Sequence, residues 1–206
     1  LDALLDRIAR LRVLVVGDLM LDEYRTGEVA RISPEAPVPI VRVRSETHAL
    51  GGAGNVARNL VALGARVELV GTLGRDREGS QLREAVEALG LSTGGLVESS
   101  SRPTTHKLRV VARAQQMLRL DREDESPLSA DESARGERSV FERLDGVDAV
   151  VLADYDKGLF ADGVVADGVP ASSASALRGA SADGVEGGLG RRIVTAARAR
   201  GLIVAA

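Results

Sequence analysis

Gly51, Gly52 and Gly54, with the carboxamide of Asn55, stand together in GGAGNVARNL at the head of a run with helical spacing. Glycines carry no Cβ and let a backbone come close to a bound molecule. The first turn of the helix then offers unpaired N–H groups to that molecule. Asn55 both donates and accepts hydrogen bonds, which suits the hydroxyls of a sugar. Asp18 and Asp22 follow the apolar run RVLVVG in GDLMLD. Carboxylates at the end of a strand can accept hydrogen bonds from sugar hydroxyls and orient them. Asp154 and Lys157 follow a second apolar run in ADYDKG, where a carboxylate and an ammonium together make a polar site for a phosphorylated ligand. Other readings stand beside these. The glycines form a tight loop before an amphipathic helix, or the G-x-G-x-x-A dinucleotide fingerprint that Gly52, Gly54 and Ala57 fit. The fingerprint follows a buried strand directly, whereas SETHAL is polar and a poor strand. A loop cap is the alternative for Asp18, and charged loop residues such as Asp154 and Lys157 are ordinarily just solvated.

The elements that would position these groups alternate in period. Leu1, Leu4, Leu5 and Ile8 fall on one face of a helix. Residues 12–17, 67–70, 147–153 and 202–206 are apolar runs of the kind found in buried parallel strands. Between them, Val56, Leu60 and Leu63 share a helical face, as do Leu82, Ala85, Val86 and Leu89, with Asp76 as cap and Gly90 as stop. Leu189, Ile193 and Ala197 mark a further helix. The alternation predicts an α/β fold, a doubly wound, mostly parallel sheet with helices on both faces. Residues 38–44 alternate apolar and basic after Pro37, and residues 106–113 and 116–121 are spaced to pair as a hairpin around Ala114 and Gln115. Such half-exposed strands suit a small β-lid over the ligand crevice.

Composition removes several functions. The net charge of −3 leaves no basic footprint for nucleic acid, and Tyr24, Phe141, Tyr155 and Phe160 are too few to stack bases. Without cysteine there is no disulfide framework or thiolate metal site, and two isolated histidines do not make a zinc site, so no metal ligand is named. No apolar run reaches membrane-spanning length and no signal peptide opens the chain, so the expected setting is cytoplasmic, with no membrane partner.

In order and spacing, GDLMLDEY, RISPEAPVP, GGAGNVARNL, THKLRVVARAQQMLRLD and ADYDKG resemble the ribokinase-like (PfkB) carbohydrate kinases, over residues 12–160. Within that family they are most similar to the kinases of D-glycero-D-manno-heptose 7-phosphate. RISPEAPVP and the run Lys107, Arg109, Gln115, Arg119, Asp121 are the more diagnostic parts. The resemblance implies a ribokinase-like fold whose lid lies in segments near 23–46 and 104–122, and a homodimer formed through that lid. It implies phosphorylation of the sugar phosphate at C1 with ATP and Mg2+, on the route to the ADP-heptose of lipopolysaccharide cores. It places the sugar at Gly51, Gly52 and Asn55. Lys107, Arg109 and Arg119 suit the 7-phosphate, because ammonium and guanidinium groups bind phosphate well; an ordinary basic strand face is the alternative.

Past Phe160 the resemblance lapses. Residues 161–190 are rich in Ala, Gly, Ser and Asp, repeat ADGV from Ala161, Ala166 and Ala182, and read as a flexible low-complexity insertion. Residues 191–206 resume the domain with a helix and a strand. The family's catalytic base comes from a Gly-Ala-Gly-Asp motif, and an Asn-x-x-Glu motif lies near its metal–phosphate site. Asn55 and Asn59 are the only asparagines and neither has Glu three residues on. The expectation is a C-terminally incomplete domain whose base lies beyond Ala206, with no catalytic residue named and no activity from these residues alone. A kinase of another sugar or of a nucleoside, and a non-catalytic binding or oligomerising relative, are the alternatives.

Overall fold

The computed structural model describes residues 2–160 and 188–206, so the expected insertion lies outside the described residues except at its end. In chain order the elements are α1 (Asp2–Ile8), β1 (Arg12–Gly17), β2 (Leu19–Ile32), β3 (Pro39–Gly52), α2 (Ala53–Ala62), β4 (Arg66–Gly74) and α3 (Arg77–Ala88). There follow β5 (Leu96–Ser99), β6 (Thr105–Ala112), β7 (Gln115–Arg122), α4 (Ala130–Phe141), β8 (Ala149–Ala153), α5 (Leu189–Ala199) and β9 (Ile203–Ala205).

The apolar runs become the middle of the fold. RVLVVG pairs in parallel with β4 on one side and β8 on the other, in a sheet of order β5-β4-β1-β8-β9. With both faces covered, alternate residues of β1 enter different cores. Val13 and Val15 pack with Ala53, Ala57, Leu82 and Val86 of α2 and α3. Leu14 and Val16 pack with Val140, Ile193 and Ala197 of α4 and α5. The doubly wound α/β architecture therefore stands as the alternation predicts. At the C-terminal end of β1, Gly17 lies so close to Ala153 O that a Cβ would collide with it.

A second sheet, of order β3-β2-β6-β7, is the lid. β2 pairs antiparallel with β3 and parallel with β6, and β6 turns back into β7. That turn is Arg113–Ala114, both at positive φ (51° and 59°), one residue earlier than the spacing predicts. Two successive positive-φ residues match the right-handed twist of a hairpin, which is why the register settles there.

Other details differ from the sequence reading. SETHAL lies inside β3, because the lid strand is exposed through residues 45–48 and tolerates polar residues there, turning inward only at Leu50. Asp22 lies within β2 rather than in a loop past β1, since LMLDEY alternates and has partners on both sides. In α2 the buried residues are Ala53, Gly54 and Ala57, with Val56 and Leu60 only partly buried and Leu63 exposed. α1 buries none of its residues, and Leu4 and Leu5 face solvent. β5 and α4 are additional elements; the capping box of α4, Ser129 with Glu132, is visible in the sequence as S-x-x-E. α5 begins at Leu189, with Leu189, Ile193 and Ala197 buried as their spacing predicts.

Candidate functional site

The lid meets the main sheet where β1 runs into β2 and β3 runs into α2. Gly52 makes the second corner with φ 55°, a backbone conformation that side chains with a Cβ resist. Ala53 N–H donates to Asp18 O at 2.9 Å, so the first N–H of the helix is already engaged. Next to it, Gly51 packs against Asp22: a Cβ there would stand 2.6 Å from Asp22 Oδ2 and 2.5 Å from Met20 Cγ. The Asp22 carboxylate is in turn held by Arg109 of β6, whose Nη1 lies 2.5 Å from Oδ1. Arg109 also stacks over the Tyr24 ring, 5.3 Å from its centroid. The pair raises the Arg109 pKa, chiefly through the hydrogen bond to Asp22. The glycine turn, the acid of GDLMLD and a basic residue of the lid thus converge, although the sequence separates them widely.

Asp18 belongs to the floor beneath this corner. It is 1% exposed, and its carboxylate accepts the backbone N–H groups of Tyr155 (2.9 Å), Lys157 (3.2 Å) and Leu159 (3.4 Å). Burial raises its pKa against the opposing effect of those N–H donors, and Asp154 nearby raises it further. Its geometry is that of a carboxylate pinning the loop after β8. Asp154 itself is exposed and accepts the N–H of Asp156 at 2.9 Å.

Lys107 and Lys157 meet through acids. Lys107 Nζ lies 3.2 Å from Asp121 Oδ2 and 3.1 Å from Glu123 Oε2. Lys157 Nζ lies 3.2 Å from the same Glu123 oxygen and 2.7 Å from Glu125 Oε1. Arg119, half exposed on β7, binds Asp121 at 2.8 Å. Asn55, in the first turn of α2, accepts at Oδ1 a hydrogen bond from Arg58 Nη2 at 2.6 Å, not one from another of the predicted site residues.

Sequence reasoning passed over Glu123, Tyr24 and Arg102. Arg102 Nη2 donates to Lys157 O at 2.6 Å and to Asp124 O, while its buried Nε and Nη1 have no hydrogen-bond partner among the described residues. With Asp18, Thr72, Ser99, Thr105 and Lys157 it lines a small polar cleft beneath the loop. A lone Arg before Pro carries no local signal of that placement; only the fold brings it under Lys157. Both histidines are strand residues grouped on Glu23, with His106 Nε2 at 2.9 Å and His48 Nε2 at 3.7 Å. No helix among the described residues is long and apolar enough to cross a membrane.

The dinucleotide alternative loses its basis here, since the strand leading into the glycines is an antiparallel lid strand paired with β2 rather than a strand of the parallel sheet. Comparison with known proteins points one way. A sequence model of the pfkB family of carbohydrate kinases matches residues 10–179. The chain is 50% identical over 154 residues to a D-beta-D-heptose 7-phosphate kinase of Bordetella bronchiseptica, covering 75% of this chain and 48% of that protein. It is 49% identical over 164 residues to a bifunctional protein HldE of Caulobacter vibrioides, covering 79% of this chain and 33% of that one. It therefore spans about a third to a half of the length of these relatives. Its fold matches that of a possible 1-phosphofructokinase from Thermotoga maritima with a TM-score of 0.66 at 18% identity, covering 94% of this chain and 52% of that one. The chain belongs to the pfkB family of carbohydrate kinases.

Proposed function

We propose that this chain forms the sugar-binding part of a cytoplasmic kinase that transfers the γ-phosphoryl group of ATP to the C1 hydroxyl of D-glycero-D-manno-heptose 7-phosphate. The observation that carries the reading is the junction of Gly51 with Asp22, where a Cβ would intrude on a carboxylate already held by Arg109. A carboxylate fixed beside bare backbone can take two hydroxyls in one orientation, which is what positioning a sugar for in-line attack requires. Gly52 sets the corner, Asn55 adds a donor and an acceptor at the helix start, and Asp18 holds the floor. Lys107, Arg109, Arg119 and Lys157 supply positive charge for the phosphate that the sugar already carries, with Asp154 at the rim. The relatives of known name, a heptose 7-phosphate kinase among them, favour this sugar over others.

ATP and Mg2+ are the co-reactants that the family implies. Among the described residues no three His, Cys, Asp or Glu side chains group to hold a metal ion. Their part is to bind and orient the acceptor sugar and to keep water from it under the lid. The lid also exposes Met117, Leu118 and Leu120 on its edge strand β7, which supports a homodimer formed through that strand.

Calorimetric titration of the chain with D-glycero-D-manno-heptose 7-phosphate, mannose and adenosine tests the reading. Saturable binding of the heptose phosphate in preference to the other two is expected. Preference for adenosine, or equal weak binding of all three, would overturn it.

A further inference from the structure

Lys107 comes from the lid strand β6 and Lys157 from the loop after β8, yet both ammonium groups converge on one oxygen, Glu123 Oε2, at 3.1 and 3.2 Å. All three side chains are largely withdrawn from water, at 16%, 13% and 26% exposure. We propose that this is a subsite for a phosphate monoester, that Glu123 is its internal occupant, and that an incoming sugar phosphate displaces the Glu123 carboxylate to take both lysines. The proposal rests on the sugar-kinase reading above and deepens it.

Chemistry and position support the exchange. A carboxylate satisfies both lysines with a single oxygen, whereas a phosphate dianion brings twice the charge and three acceptor oxygens to the same pair. Lysine is suited to a change of partner, because its ammonium is a rotatable point charge rather than a fixed planar fork. Arg109 is committed to Asp22 and Tyr24, and Arg119 is half exposed, so neither provides an enclosed site of this kind. Glu123 immediately follows β7 and stands in irregular chain, where its side chain can swing without breaking the sheet. Lys107 is the register partner of Asp22 on the neighbouring strand, so both side chains lie on one face of the lid. Adjacent strands are about 4.8 Å apart, so the two residues are close neighbours on that face. Asp121 and Glu125 remain with the lysines after the exchange and keep them oriented.

The test compares wild type, Glu123→Gln, Lys107→Gln and Lys157→Gln by calorimetric titration with orthophosphate and with D-glycero-D-manno-heptose 7-phosphate, with thermal melting as the check on folding. Glu123→Gln removes the competing charge with little change of shape and is expected to tighten orthophosphate binding about tenfold. A gain of affinity cannot come from misfolding. Each lysine substitution is expected to weaken it by about tenfold. Orthophosphate affinity that is unchanged in Glu123→Gln, or no binding by that variant, would overturn the proposal. Heptose phosphate binding equally well to all four proteins would overturn the subsite while leaving the sugar reading intact. Orthophosphate responding as expected while the heptose phosphate fails to bind would uphold the subsite and remove the sugar reading.

Discussion

Asp18 and Tyr155 are joined across 137 residues of sequence by a hydrogen bond of 2.9 Å from the Tyr155 N–H to the buried Asp18 carboxylate. The same carboxylate takes the N–H groups of Lys157 and Leu159, so the end of β1 sets the path of the loop after β8. Replacing Asp18 by Ala leaves those donors without their acceptor. Asp18→Ala is expected to lower stability by about 2 to 3 kcal/mol. Urea unfolding measures it, and a loss within the error of the fit would mean that the loop does not depend on Asp18.

Acid should act on the N-cap of α4. Burial works against the charged form of Glu132, but bonds from Ser99, Ser129 and the Ser100 backbone outweigh it and lower its pKa from 4.5 to about 2. A depressed carboxyl contributes stability that is present above its unfolded value and lost as pH falls through the folded one. Melting temperature should therefore drop between pH 4.5 and about 2, and Glu132→Gln should flatten that drop. Asp18 has the opposite sign: burial raises its pKa, so its contribution is present at low pH and lost as pH rises through the folded value. Asp18→Asn should accordingly steepen the acid loss. A wild-type slope in both variants would contradict these assignments.

The corner glycines separate two kinds of damage. Gly51→Ala pushes a methyl into Asp22 and Met20, and should weaken heptose phosphate binding by about tenfold while changing stability less. Gly52→Ala forces a Cβ at φ 55° against Asp18 O and should cost stability first, by at least about 1 kcal/mol. Parallel titration and urea unfolding distinguish them. Equal behaviour of the two variants would mean that the space at Gly51 is structural only.

Asn55→Ala should weaken binding of the heptose phosphate by about tenfold and leave thermal melting nearly unchanged, because among the described residues its carboxamide bonds the exposed Arg58 of its own helix. Unaltered affinity would take Asn55 out of the sugar site.

The lid edge gives a prediction about assembly. Leu118 and Leu120 are 51% and 52% exposed on β7. Substituting both by Asp should convert a two-chain species into single chains in light scattering after size exclusion. Single chains already present in the wild type would remove the dimer from the proposal.

Much of the frame was legible in the residues. The apolar runs of β1, β4 and β8 are continuous because both faces of a doubly wound sheet are covered, and that requirement is local to each strand. Asp76 before α3 and Gly90 after it could be read directly, since capping acts within a turn. β2 and β3 were harder, because their outer parts are exposed and impose little pattern on their residues, and α4 was harder because its buried face is mostly small or polar, Glu132, Gly136 and Ser139 beside Val140. The chemistry-bearing types, Asp18, Asp22, Gly51, Lys107, Arg109 and Lys157, were determined by sequence alone. Their partners were decided only by the tertiary structure. Asp22 meets Arg109 across 87 residues and Lys157 shares Glu123 with Lys107, and a contact between distant segments depends on strand order and register, which no local spacing encodes.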